Sequence, residues 1–193
     1  MLMRSFKSLF TVVVVVAALP VGAGAALAAD HHEKFYGSYV GSGTANQVIE
    51  KVTEQRDLDV TVEPFKKGGF TIKWITVVRG SDGARVGEDV KRREVEENFL
   101  PLEDKEGVFI LSPKGGLFQK AELPNPLRGE PMRWATVENG AMTVYSMAIG
   151  DNGGSELQVY RRTLTEKGMN ISFLRMRDET VVVQMEGELV RTK

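Results

Sequence analysis

The 193-residue chain has no cysteine, and its two histidines, His31 and His32, sit side by side near the start. Catalysis by a Ser-His-Asp triad or a Cys-His pair, or by a histidine-held zinc, therefore has no residues in the body of the chain unless this pair folds inward. Carboxylates are the remaining reactive groups, and Glu94, Glu96, Glu97, Glu103, Asp104 and Glu106 crowd one stretch. Glu94 and Glu96 alternate with Arg93 and Val95, as on the solvated side of an edge strand, where charge discourages edge-to-edge association. Asp151-Asn152-Gly153-Gly154 lacks the later carboxylate of a calcium loop and reads as a hairpin turn. With no catalytic constellation, the expectation is a binding protein rather than an enzyme, with no cofactor implied.

The N-terminus carries one sharper chemical pattern. Arg4 and Lys7 precede an apolar run from Leu9 to Leu19, Pro20, Gly22 and Gly24 break it, and Ala26-Leu27-Ala28 supplies small residues for cleavage. Residues 1–28 thus read as a secretory signal peptide, which predicts a periplasmic or secreted protein with no membrane span after cleavage. Cleavage after Ala28 or Ala29 leaves His31 or His32 third from a free amine. That arrangement resembles the amino-terminal Cu(II)/Ni(II) motif, in which amine, backbone amides and imidazole form a square plane. The alternative is a frayed polar tail, residues 29–34, with incidental histidines. Removing Arg4 and Lys7 leaves 23 basic against 26 acidic residues, net -3, which implies no nucleic-acid partner. The remaining 29–193 is one ordinary domain, stabilised by an apolar core without disulfides.

From residue 35 onward, short alternating apolar runs separated by turn clusters predict an all-β domain, 35–193. Expected strands are 35–45, 58–65, 69–79, 89–99, 108–111, 132–138, 141–149, 155–164, 169–177 and 180–191. A helical turn is expected at 45–55, where Val48, Ile49 and Val52 recur at helical spacing. The proline-rich 113–131 reads as a long irregular crossing.

Turn chemistry fixes register in the C-terminal third. Asn139-Gly140 pairs Trp134 with Tyr145 and Met132 with Met147. Asp178-Glu179 pairs Leu174 with Val183 and Met176 with Val181. A five-residue loop from Gly150 to Gly154 places Leu157 and Val159 beside Met147 and Tyr145, whereas a two-residue turn would bring Gln158 and Arg162 onto the apolar face. The expected inward set is Met132, Trp134, Thr136, Tyr145, Met147, Leu157, Val159, Arg161, Leu174, Met176, Val181, Val183 and Met185. Its methionines suit either an adaptable ligand cavity or a filled core. Arg161 in that set is either an anchor for an anion or a residue turned to solvent by a bulge.

Gly37-Ser38-Tyr39 resembles the Gly-x-Trp opening of the first strand in the calycin superfamily, with tyrosine in place of the lipocalin tryptophan. Gly187-Glu188-Leu189-Val190-Arg191 is similar to the closing strand of such barrels. The resemblance implies an antiparallel up-and-down, lipocalin-like β-barrel of about 8–10 strands, with Arg191 stacked on Tyr39. The haem-binding branch of that superfamily would supply a barrel histidine, which this chain lacks. The expected function is binding of a small apolar or amphipathic ligand by Trp134, Tyr145, Met147, Arg161, Leu174 and Met185. The alternative is a filled barrel that binds an envelope protein.

Overall fold

The structure is a computed structural model that describes residues 31–79, 91–112 and 124–193. The segment 1–28, most of the 113–131 crossing and the expected strand start at Asp89 lie outside the described residues. Ten strands follow in chain order: β1 (Gly37–Gln47), β2 (Val52–Phe65), β3 (Gly69–Arg79), β4 (Arg92–Pro101), β5 (Val108–Leu111), β6 (Met132–Glu138), β7 (Ala141–Ile149), β8 (Ser155–Leu164), β9 (Gly168–Arg177) and β10 (Thr180–Arg191). Each pairs with the next, and β10 closes on β1, so every described strand has two neighbours, although β5 covers only the Phe99–Pro101 end of β4. No helix replaces 45–55. Gln47 is still paired to Val52 across a tight turn in which Lys51 has a φ of 55°, because alternation along β1 and β2 outweighs three aliphatics at helical spacing.

The hairpin arithmetic holds for β6 to β8. Asn139 and Gly140 take φ of 52° and 71°, the left-handed pair of a type I′ turn, and Trp134 pairs with Tyr145. The longer loop closes through Gly150 N–H to Gly154 C=O at 2.8 Å, which sets Val159 against Tyr145 and Leu157 against Met147. Across β9 and β10 the expectation fails halfway. Met176 pairs with Val181, but a bulge between Val181 and Val183 moves Leu174 opposite Gln184 and Arg175 opposite Val183.

Sidedness is the larger correction. Trp74 on β3 touches Tyr160 on β8, strands that are not neighbours, so this contact crosses the lumen. The core consists of residues in phase with these two, including Leu58, Val60, Ile72, Ala135, Val137, Met142, Val144, Ile171, Met185 and Leu189. Met132, Trp134, Tyr145, Met147, Leu157, Val159, Arg161, Leu174 and Met176 alternate with the buried set and face outward. Of the expected inward residues, Val183 and Met185 are buried.

One end of the barrel is plugged. Residues His32–Phe35 form a 3-10 turn that buries Phe35 at 1% exposure beneath the Tyr39 hydroxyl, which donates to Phe35 C=O at 3.0 Å. Phe70 stacks on Phe99 and meets Phe109 edge-on, both at 5.1 Å, below this turn. Arg191 pairs with Tyr39 across β1 and β10, lies 5.6 Å over its ring and donates to Tyr36 C=O. This is the stack that the calycin resemblance implies. Gly43 and Gly187 face each other where the sheet closes, and a Cβ on Gly187 would stand 3.0 Å from Gly43 Cα. Bare backbone there lets β1 and β10 approach closely.

Candidate functional site in the barrel lumen

The inner wall of β8 reads Glu156, Gln158, Tyr160, Arg162, a polar row inside a barrel whose other strands present mostly apolar side chains. These groups are tied along the strand. Tyr160 donates to Gln158 Oε1 at 2.7 Å, Gln158 donates to Glu156 Oε1 at 2.6 Å, and Arg175 and Arg177 donate to Glu156 Oε2 at 2.7 and 2.9 Å. Burial pushes the Glu156 carboxyl up, yet the hydrogen bonds from Arg175, Arg177 and Gln158 together outweigh it and hold the carboxyl down at about 2. Across the lumen, Arg133 on β6 pairs with buried Glu97 on β4, and desolvation lowers the Arg133 pKa.

At the end of the lumen away from the plug lies a cavity of about 260 Å³. Leu58, Val60, Trp74, Ile171, Phe173 and Met185 form its apolar wall, and Arg56, Lys91, Arg92, Arg93 and Arg162 its cations; among the described residues no carboxylate lines it. The aromatic wall is continuous, with Trp74 and Tyr160 centroids 5.6 Å apart and Tyr160 and Phe173 4.6 Å apart. Lys91, Arg92 and Arg93 are exposed at the mouth, whereas Arg162 is 4% exposed at the inner end, 5.6 Å over the Trp74 ring. Arg56 is held by Glu54 at 2.7 Å and Arg92 by Glu94 at 2.8 Å. Arg162 has no such partner: its Nε and Nη1 are sealed from solvent and make no hydrogen bond. Desolvation pushes its pKa down to about 10.

The residues expected at the site fall in three places. Met185 lines the cavity. Trp134, Tyr145, Met147, Leu174 and Arg161 lie on the outer wall, where Trp134 and Tyr145 stack with centroids 5.0 Å apart and planes 9° apart. They do not line the lumen, because turn pairing reports which residues share a face and not which face is inside. His31 is exposed and 3.7 Å from Glu33, while His32 packs on Phe109, Tyr36 and Phe70 at 5.0, 5.7 and 5.8 Å, with its pKa lowered by burial. Among the described residues no group of three or more metal-ligating side chains gathers. Sequence reasoning missed Trp74, Tyr160, Arg162 and Phe173. The available signal was the polar alternation of β8, which suits an inner wall only if the lumen holds something polar.

The described residues form a closed, antiparallel, up-and-down ten-strand barrel with one plugged end and a lined lumen. No protein-family model and no curated protein matches the chain. Among solved structures, the S-type phycobiliprotein lyase CPES from Guillardia theta is similar at 10% identity and a TM-score of 0.39, over 83% of this chain and 90% of that chain. At that level nothing about the site follows from the likeness.

Proposed function

We propose that this is an exported, non-enzymatic barrel protein that binds a small amphipathic ligand in its lumen. The observation that carries the reading is the cavity itself, an apolar and aromatic wall with a basic mouth, opposite an end closed by Phe35 and its neighbours. Concave, mostly apolar sites with a few placed polar groups are where small molecules bind. The signal-like segment 1–28 supports a periplasmic or secreted location, and the lack of any Cys, or of any His beyond residue 32, supports a binding rather than a catalytic role.

Native mass spectrometry of the mature protein from its own envelope, against the same sample denatured, tests both parts. The expected result is a chain starting at Ala29 or Asp30 that carries a small molecule released on unfolding. A full-length chain refutes export, and a clean apo mass that also fails to take up amphipathic probes refutes the lumen site. Bound copper or nickel would instead assign the amino-terminal motif.

A second reading rests on the outer wall of β6 to β9. Register places Trp134, Tyr145, Val159 and Leu174 in one row and Met132, Met147, Leu157 and Met176 in the next, an apolar band on one side of the barrel. Contiguous apolar surface of this kind marks contact sites, and in an exported protein the fitting partner is another envelope protein. Pull-down from the envelope with the native chain and with Trp134→Arg tests it: a stoichiometric partner lost in the variant supports the contact, and identical eluates refute it.

A further inference from the structure

We propose that the lumen ligand is a compact planar aromatic anion whose carboxylate or equivalent group is bound by the Arg162 guanidinium at the inner end of the cavity. The inference rests on the lumen-binding reading above and specifies its chemistry.

The head group follows from what Arg162 lacks. A guanidinium presents a planar fork of N–H donors, and burying such donors unpaired is costly, so native interiors rarely keep them. Here Nε and Nη1 have no partner, although Glu97, Glu156 and Gln158 stand on the same lumen wall or across it. All of their side-chain oxygens are taken except Glu97 Oε2, which is buried without a partner. Glu97 pairs with Arg133, Glu156 takes Arg175, Arg177 and Gln158, and Gln158 takes Tyr160. The fold thus gives Arg133 and Arg175 carboxylate partners, whereas Arg162 lies over the face of Trp74 with no ion pair to a described residue. An anion that meets the Arg162 guanidinium from the cavity gains a charge-assisted contact, which a neutral ligand cannot supply. The exposed Lys91, Arg92 and Arg93 at the mouth give an anion a favourable approach.

The body of the ligand follows from the wall and the volume. Trp74, Tyr160 and Phe173 form a connected aromatic surface that offers stacking to a flat ring system. The cavity of about 260 Å³ has room for two fused rings against this surface.

Isothermal titration of the charcoal-treated protein with three probes tests the assignment: naphthalene-2-carboxylate, its neutral analogue 2-naphthamide, and dodecanoate. The expected order is carboxylate tightest, with 2-naphthamide weaker by roughly tenfold or more, the worth of a charge-assisted contact. In Arg162→Gln that ratio collapses toward one while 2-naphthamide binding persists, and in Arg161→Gln, on the outer wall, the ratio is unchanged. Arg162→Met is run alongside, with far-UV circular dichroism on both, so that a misfolded variant does not stand in for a lost contact. Equal binding of the two aromatic probes, or a ratio that survives in a folded Arg162 variant, overturns the anion assignment and leaves the lumen site standing. Tighter binding of dodecanoate overturns the aromatic body. Binding of none of the three overturns the lumen reading, and this inference with it.

Discussion

Replacing Arg162 with methionine should make the ligand-free protein more stable, which is the reverse of what losing a buried side chain usually does. Arg162 is 4% exposed with Nε and Nη1 unpaired, and its guanidinium lies 5.6 Å over the Trp74 ring. A buried unpaired donor costs about 1–3 kcal/mol, so the two together cost about 2–6 kcal/mol. Losing the guanidinium–indole contact gives back about 1–2 kcal/mol. Methionine is of similar length and fills irregular apolar space, so no large void opens beside Ile171 and Met185. The balance runs from about zero to a gain of about 5 kcal/mol, overlapping the ~1–4 kcal/mol found when buried ionic groups are replaced by apolar ones. Taking about 2 kcal/mol as the centre, Tm rises by roughly 4–8 °C for a domain of this size. Differential scanning calorimetry of the mature protein without ligand measures it. A fall in Tm would mean that the guanidinium is already satisfied in the empty barrel, and the reasoning from its unpaired donors would be refuted. Adding the ligand should reverse the order, because binding stabilises the native chain by mass action and the variant far less.

Three further outcomes follow from the same geometry. Trp74→Ala should abolish lumen binding, while Trp134→Ala on the outer wall leaves it unchanged, and titration of the two variants against naphthalene-2-carboxylate separates the faces. Glu156 has a folded pKa of about 2 against 4.5 when free, so unfolding takes up a proton between those values. Its stabilisation is therefore complete above pH 4.5 and lost as pH falls toward 2; urea midpoints should show a shallower acid decline in Glu156→Gln than in the native chain, and parallel curves would deny the network its role. His32 has a folded pKa below its free value of 6.5 because its ring is desolvated against Phe70 and Phe109. The unfolded turn then binds the proton more readily, and docking of the plug weakens as pH falls below 6.5. Hydrogen exchange at Lys34 and Tyr36, whose amides bond His31 and Glu33 carbonyls, should accelerate at pH 5.5 relative to its intrinsic rate in the native chain and not in His32→Phe.

Much of the fold was legible because β-turn chemistry is local. Asn139-Gly140 and Asp178-Glu179 both take the two positive φ values their turns need, and the strands β5 to β8 and β10 begin and end where alternation places them. The β1–β2 connection was not legible, since Val48, Ile49 and Val52 look helical in a window that ignores partners. All three are exposed at 45–67%, so their apolarity carries no core signal at all. The first-strand glycines and Arg191 were informative for a different reason: backbone approach at the closure and a cation over Tyr39 leave residue types that little else explains.

Which face lies inside was misread because two features of the chain act together. In β10, Met185 and Leu189 alternate with Gln184, Glu186 and Glu188, which places the methionine inward, as observed. Carried to β9 without a bulge, that parity puts Leu174 and Met176 inside; the extra residue between Val181 and Val183 reverses it and puts Phe173 and Arg175 there instead. The error then passed through β8, β7 and β6, since most of their outer residues are apolar. Only β8 protested, by placing Glu156, Gln158, Tyr160 and Arg162 on the face left over. Apolar-in, polar-out patterning fails where a protein has a use for buried polarity. In β2 and β3 the pattern holds, with Leu58, Val60, Ile72 and Trp74 inside and Asp59, Thr61 and Lys73 outside. The strand that breaks the pattern is the one that carries the unpaired arginine into the cavity, so the failure of the rule and the location of the site have one cause.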